Sequence, residues 1–176
     1  MRKERLSLLV ILTLFLTSLI APSHANTIQI ASCASINRSA SITHGIVLPC
    51  LDGKSKVIYQ AIRGPVIVNV FGSWCGPCNV EIPHLLAVAG LHKVPFVGVD
   101  VEETNMKAGS AFAKKKGLWW PILFDTNGST RGIFGLGVPV TWLIDAQGKV
   151  VYKQIGVITS TDILKNEIKK YLKIKL

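Results

Sequence analysis

The chain has 176 residues, 49% of them apolar, which is enough for one domain with a hydrophobic core of ordinary size. Its formal net charge is +10, but the basic residues are dispersed apart from residues 114–116 and the C-terminal tail. Because no aromatic platform or nucleic-acid motif accompanies them, composition and charge argue against nucleic acid as a partner.

The N-terminal segment is typical of an export signal. The charged residues 2–5, three of them basic, precede the uncharged, largely apolar run 6–21, and Ala25 with Ser23 suits signal peptidase cleavage. The run is shorter than the roughly 20 residues that span a bilayer comfortably, so both cleavage and retention as an anchor are open. We therefore expect a signal peptide or uncleaved membrane anchor over residues 1–25, a linker or arm over residues 26–44, and the folded domain over residues 45–176. The protein would act at the extracytoplasmic face of the membrane, in a periplasm-like space, or after secretion.

The four cysteines form one close and one distant pair. Cys75 and Cys78 are separated by two residues, whereas Cys33 and Cys50 enclose a longer loop. Closing that loop with a structural disulfide is worth about 3 kcal/mol. Disulfides persist outside the reducing cytosol, which agrees with export. A four-cysteine zinc site would need two close pairs, so we expect no metal. Lipid attachment at Cys33 is disfavoured because polar residues 22–29 separate it from the apolar run.

An arm and a hairpin are predicted ahead of the close pair. Residues 26–43 are rich in Ser, Asn and Ala without periodicity, which is typical of a linker or a loosely packed arm. Apolar residues 45–49 and 57–62 flank an Asp-Gly turn, which is a hairpin signal. A bridge between Cys33 and Cys50 would pin the arm to this hairpin.

The close pair follows the apolar, β-branched run 66–71, which is typical of a strand covered on both faces. Apolar residues then recur at helical spacing, so Cys75 should lie at a helix N-terminus. Such surroundings lower a cysteine pKa from about 8.5 into roughly the 3.5–7.5 range. We expect Cys75 to be the attacking thiolate and Cys78 to resolve the mixed disulfide, with the pair as the redox group and no added cofactor.

The rest of the chain alternates strands and helices. The predicted elements are a strand over 95–101, a helix from 104 or 105 to 116, an extended segment over 119–124, a short helix over 129–134, a hairpin over 138–144 and 149–155, and a last helix capped near 159–162. With a Cys-X-X-Cys at the first strand-to-helix junction, this order resembles the thioredoxin fold. The expected class is α/β, a central mixed sheet flanked by helices, with an N-terminal hairpin extension.

Two segments resemble the exported thioredoxin-like thiol-disulfide oxidoreductases of the TlpA/ResA-like family. Residues 68–83, which contain Trp74-Cys75-Gly76-Pro77-Cys78, look like its active-site segment, and residues 137–150 look like its later hairpin. The resemblance implies exchange with protein thiols and disulfides, including apocytochrome c or other exported proteins, and a membrane redox partner. Val140 departs from the glutamate of the cytochrome-c-maturation branch.

The resemblance also implies roles for individual residues. Pro139 would be a cis-proline that faces the cysteine pair, and the backbone of Val138 would pair with an extended substrate. Trp74, Gly76 and Pro77 would complete the substrate-contacting surface.

Glu81 follows Cys78 by three residues and so lies beside it on the helix. The resemblance implies a partly buried acid that exchanges protons with Cys78. The alternative is a solvated glutamate that complements the helix dipole. Asn69 stands where cytosolic thioredoxins carry a buried aspartate, and since an amide cannot shuttle a proton, that role shifts to Glu81.

Two other functions stay open at this point. A thiol peroxidase of the same fold would need a threonine where the chain has Gly72. A non-enzymatic, membrane-tethered binding module would use the cysteines only to stabilise its fold. The direction of exchange is also open, because related folds have reduction potentials from about −270 to about −120 mV.

Overall fold

The computed structural model describes residues 28–135 and 137–176, so the predicted signal segment over residues 1–25 lies outside the described residues. Within those two ranges no helix has both the length and the apolar character needed to cross a membrane. The elements in chain order are β1 (Val47–Pro49), β2 (Lys56–Ile58), β3 (Val66–Phe71), α1 (Gly76–Ala89), β4 (Phe96–Val101), α2 (Met106–Lys116), β5 (Ile122–Asp125), α3 (Arg131–Phe134), β6 (Val140–Ile144), β7 (Val150–Ile155) and α4 (Thr161–Glu167). A π-helical turn, Ile168–Leu172, continues α4.

Five strands form one mixed sheet in the order β5-β4-β3-β6-β7. β3, β4 and β5 are parallel, whereas β6 runs antiparallel to both β3 and β7. All residues of β3, β4 and β6 are buried, as expected of strands covered on both faces, while the edge strand β7 is half-exposed. The predicted α/β class with a central mixed sheet is confirmed.

Helices α1, α2 and α4 cover one face of the sheet, and the N-terminal hairpin together with α3 covers the other. Ile67 and Phe71 of β3 belong to the apolar cluster under α1, α2 and α4. Val68 and Val70 point the opposite way, into a cluster with β1, β2 and α3. This alternation follows from the two-residue period of a strand, and it makes β3 the central support of both layers.

The hairpin is shorter than the sequence pattern predicts. Its strands pair only from Val47 with Ile58 to Pro49 with Lys56. The chain then leaves the strand in a 3₁₀ turn, Tyr59–Ala61, where Tyr59 packs edge-on against Phe134 with ring centroids 5.1 Å apart. The strand therefore ends next to a contact with an aromatic ring that is distant in the chain, which local composition does not predict.

The described part of the arm is packed more closely than the sequence predicts. Cys33 and Ile36 are buried, and a disulfide joins Cys33 to Cys50. Asp52 in the hairpin turn accepts hydrogen bonds from the Ser32 hydroxyl at 2.8 Å and from the Cys33 N–H at 3.2 Å. These contacts are irregular and long-range, so they leave no periodicity in the sequence.

Replacing both cysteines of this bridge, as Cys33→Ala/Cys50→Ala, should lower the free energy of unfolding by about 2–4 kcal/mol. The bridge closes a loop with a sequence separation of 17 in the unfolded chain. Denaturant titration of the oxidised protein measures the loss. The matched control, Cys75→Ala/Cys78→Ala, opens a loop with a separation of only 3 and should cost about half as much. Equal unfolding midpoints for wild type and the Cys33/Cys50 variant would contradict this account.

Candidate active site

The close cysteine pair lies where β3 ends and α1 begins. Cys75 is the N-cap of α1, with extended backbone, and its Sγ accepts a hydrogen bond from the Cys78 N–H at 3.0 Å. The two sulfurs are joined in a disulfide. Cys75 keeps 3% of its surface exposed, whereas Cys78 has none. Cys75 is therefore the less buried of the two cysteines, and its sulfur lies at the positive end of the helix.

A cis peptide bond joins Val138 to Pro139 beside this pair. The carbonyl oxygen of Val138 lies 3.7 Å from the Cys75 Sγ, and Pro139 is buried. Because Val140 pairs with Val70 of β3, the sheet itself brings this loop against the end of the strand that carries the cysteines. The structure therefore assembles Cys75, Val138 and Pro139 in one place.

Glu81 is completely buried on α1. Its Oε1 accepts a hydrogen bond from the Asn69 side-chain amide at 2.7 Å, and its Oε2 accepts one from the Ile158 N–H at 3.1 Å. The same amide also donates to the Thr141 hydroxyl at 3.1 Å. Burial raises the pKa of Glu81 above its ordinary value, although the bonds from Ile158 and Asn69 oppose the rise. The alternative of a solvated Glu81 is therefore wrong.

Sequence reasoning missed the donors that hold Glu81. The sequence marks Asn69 only as a departure from an aspartate, but its amide orients the Glu81 carboxyl. Ile158 carries no side-chain signal, because only its backbone N–H is used. Asn79 was also missed, and its amide donates to the Cys75 carbonyl at 2.9 Å. The only sequence feature that indicates this role of Asn79 is a polar residue one turn after the cysteine that caps the helix.

The rim of the site is formed by exposed residues. Trp74 is 55% exposed, and its indole Nε1 donates to the Val101 carbonyl at 3.3 Å. Gly76 and Pro77 are exposed between the cysteines. Trp74 and Val138 also line a cavity of 310 Å³, whose rim carries an ion pair between Arg131 and Glu102 at 2.7 Å. Neither cysteine lines this cavity, which adjoins the site through Trp74 and Val138.

Residues 44–153 match the model of the AhpC/TSA family. The thiol-disulfide oxidoreductase ResA of Bacillus anthracis is 33% identical over 132 residues, which are 72% of each chain. ResA of Geobacillus thermodenitrificans is 30% identical over 158 residues, which are 88% of each chain. Among solved structures, MTB dsbF is 28% identical with a TM-score of 0.63, covering 72% of this chain and 94% of its own. StoA of Bacillus subtilis has a TM-score of 0.58 at 23% identity, covering 71% of this chain and 96% of its own.

The raised pKa of Glu81 should make the stability of the fold depend on pH. The folded state binds the proton more tightly than the unfolded chain, so the free energy of unfolding should fall as pH rises from the unfolded value near 4.3 through the folded pKa. Glu81→Gln, which is neutral at every pH, should show a shallower decline. Urea titrations between about pH 4 and pH 9 measure the free energy of unfolding of each variant. Glu167→Gln, at a half-exposed position, is the control. Parallel curves for wild type and Glu81→Gln would contradict the prediction.

Proposed function

Because the chain belongs to the AhpC/TSA family and is a thiol-disulfide oxidoreductase of the ResA-like group, we propose that Cys75 and Cys78 carry its exchange with exported protein substrates. The observation that supports this most strongly is the asymmetry of the disulfide. Cys75 caps the helix and keeps 3% of its surface exposed, and Cys78, one turn further in, keeps none. Attack and resolution need this division between two sulfurs.

In the reducing direction the Cys75 thiolate attacks a sulfur of the substrate disulfide. The substrate S–S bond breaks, its leaving sulfur takes up a proton, and a mixed disulfide links Cys75 to the substrate. Cys78 then gives up its proton and attacks the Cys75 sulfur, which releases the second substrate thiol. Two electrons pass from the enzyme dithiol to the substrate, and the reverse sequence oxidises a substrate dithiol. The reduction potential of the pair decides which direction dominates.

Glu81 is proposed to take the proton that Cys78 loses and to return it in the reverse step. It is fully buried one turn after Cys78 on the same helix. The raised pKa of Glu81 allows the carboxyl to hold a proton closer to neutral pH than an exposed glutamate does. Asn69 and Ile158 would keep it oriented in both protonation states.

The substrate is proposed to be an extended polypeptide that lies along Val138. Its backbone would pair with that residue beside Pro139, and a side chain next to its cysteine would enter the cavity under Trp74. The cavity wall includes apolar Val70 and Val101 together with the charged pair of Glu102 and Arg131, so a side chain with an apolar stem and a polar end fits it. Gly76 and Pro77 would contact the other side of the substrate sulfur.

Export is proposed from the signal pattern over residues 1–25 together with the Cys33–Cys50 bridge. Such a structural disulfide persists in an oxidising compartment. The partners would then be exported proteins with redox-active thiols, apocytochrome c among them, and a membrane protein that restores the redox state of the pair. N-terminal sequencing of the mature protein distinguishes cleavage after Ala25 from a retained anchor.

A thiol peroxidase of the same fold is the less favoured candidate. It would need a threonine at Gly72, but a Cβ there would lie 2.6 Å from the Trp74 Nε1 and 3.1 Å from the Val101 carbonyl oxygen. The side chain would have to displace the indole. Peroxide consumption no faster than that of a Cys75→Ser variant is the expected result.

A Cys78→Ser variant should accumulate a mixed disulfide between Cys75 and its substrate, because the resolving thiol is missing. Non-reducing gels of the variant mixed with disulfide-bonded apocytochrome c, or with an unrelated disulfide protein, measure the adduct. Cys75→Ser is the matched control and should form none, since Cys78 is buried. If neither variant forms an adduct that a reductant cleaves, the cysteines are structural and the binding-module alternative gains support.

The Cys75 thiolate should form at lower pH than an ordinary thiolate, because the start of α1 stabilises the anion. In a Cys78→Ala variant, the rate of Cys75 alkylation plotted against pH should have its midpoint below the usual value of about 8.5. The same variant unfolded in urea is the control and should titrate near the usual value. Equal midpoints in the folded and unfolded variant would remove the electrostatic basis of the mechanism.

A further inference from the structure

Asp100 is a buried acid that the exchange mechanism does not use. It lies on β4 between Phe71 of β3 and Phe124 of β5, and none of its surface is exposed. Within the described ranges, no N–H or hydroxyl donor reaches either of its oxygens. α2 closes over it so tightly that a Cβ at Gly109 would collide with its Oδ2. An ionised carboxylate in this position would be very costly, because nothing replaces its hydration.

Glu103 lies three residues further along the chain than Asp100, and its charge adds to burial in raising the pKa of Asp100. Glu103 is half-buried, and its Oε1 accepts a hydrogen bond from the Ser73 N–H at 2.5 Å. Two carboxyl groups in contact without a cation cannot both be ionised. A proton between them would reside on Asp100, because its two oxygens have no donor of their own among the described residues.

The surrounding charges do not offer another partner. The strand partners of Asp100, Phe71 and Phe124, are apolar. The lysines of α2 are at positions 107 and 114–116. The ion pairs of the described residues involve neither acid, since they join Arg131 to Glu102 and Lys165 to Asp162.

The remaining nearby acids are already occupied. Asp52, which adjoins Leu51 under α2, accepts from Ser32, Cys33, Lys54 and Ser55, and Asp125 on β5 accepts from Ser129 and Thr130. Of the acids near Asp100, Glu103 is therefore the one that raises its pKa.

This pair is connected to the redox site through the turn that precedes it. Ser73 is two residues before Cys75, and the Cys75 N–H donates to the Gly72 carbonyl at 3.1 Å. The turn is fastened to the end of β4 at two points, the Trp74 indole on the Val101 carbonyl and the Ser73 N–H on Glu103. Loss of the second contact would loosen the segment that sets the position of the Cys75 sulfur.

We propose that Asp100 and Glu103 share one proton and act as a positioning pair that holds the Ser73 backbone, and so Cys75, in place. The inference rests on the proposed redox role of Cys75 and Cys78. While Asp100 donates its proton to Glu103, the Glu103 carboxylate remains directed at Ser73. When the proton leaves, two adjacent negative charges repel, and the half-exposed Glu103 turns toward solvent. Burial, reinforced by the charge of Glu103, raises the pKa of Asp100 to about 8, so the change falls in mildly alkaline solution.

The first measurement follows the Ser73 amide by ¹⁵N-¹H NMR in the oxidised protein, where no cysteine thiol titrates. Between about pH 6 and pH 10 the wild-type resonance should shift with a midpoint near 8. Asp100→Asn should abolish that step, because its amide donates to Glu103 at every pH. Glu102→Gln, a neighbouring exposed acid paired with Arg131, is the matched control and should keep the step. No step in wild type, or an equal step in Asp100→Asn, would overturn the inference.

The second measurement is the equilibrium of each variant with a dithiothreitol redox buffer. Below pH 7 wild type and Asp100→Asn should agree. At about pH 9 the wild-type equilibrium should favour its disulfide by about threefold over Asp100→Asn, because added negative charge and a loosened turn destabilise the Cys75 thiolate. Equal equilibria at both pH values would overturn the inference while leaving the proposed function intact. A Cys75–Cys78 bond that no variant can reduce would instead refute the proposed function.

Discussion

A sulfur atom held at the positive end of a helix is the interaction on which this structure depends. Cys75 caps α1, and its Sγ accepts the Cys78 N–H at 3.0 Å. The geometry requires β3 to be fixed at the centre of the sheet, because its end determines where the helix starts. It also requires α1 to be anchored on that sheet, which the buried side chains of Ile82 and Leu85 achieve. The two apolar layers maintain this junction.

Two buried acids lie on the same side of the sheet as α1 and α2, and the fold treats them differently. Glu81 receives one donor at each oxygen, so its carboxyl is oriented whether or not it carries a proton. Asp100 receives no donor from the described residues, and the charge of Glu103 adds to burial in favouring its protonated form, which is the basis of the proposed shared proton. Burial raises the pKa of both Glu81 and Asp100. The redox site thus has two proton-holding groups, one along its helix and one behind its leading turn.

The N-terminal hairpin and arm cover the face of the sheet opposite the one that α1, α2 and α4 cover. Leu48 and Val57 of the hairpin cover Val68 and Val70 of β3. Such a short hairpin has little stability of its own. The Cys33–Cys50 disulfide ties the arm to it, and an isolated bridge between Cys50 and Leu123 joins it to the main sheet. A fold stabilised in this way suits a compartment in which disulfides persist.

The sequence by itself determined the strand over Val66–Phe71, the helix that follows it and the sulfur at their junction, because strand and helix periodicities are local properties of the chain. It also predicted the sheet class, since strand and helix order leaves few topologies. Only the tertiary structure decided that Glu81 is buried against Asn69 and that Asp100 is buried without a donor from the described part of the chain. Burial and hydrogen-bond donors come from residues far apart in the chain, and no local pattern records which of them folding will bring together.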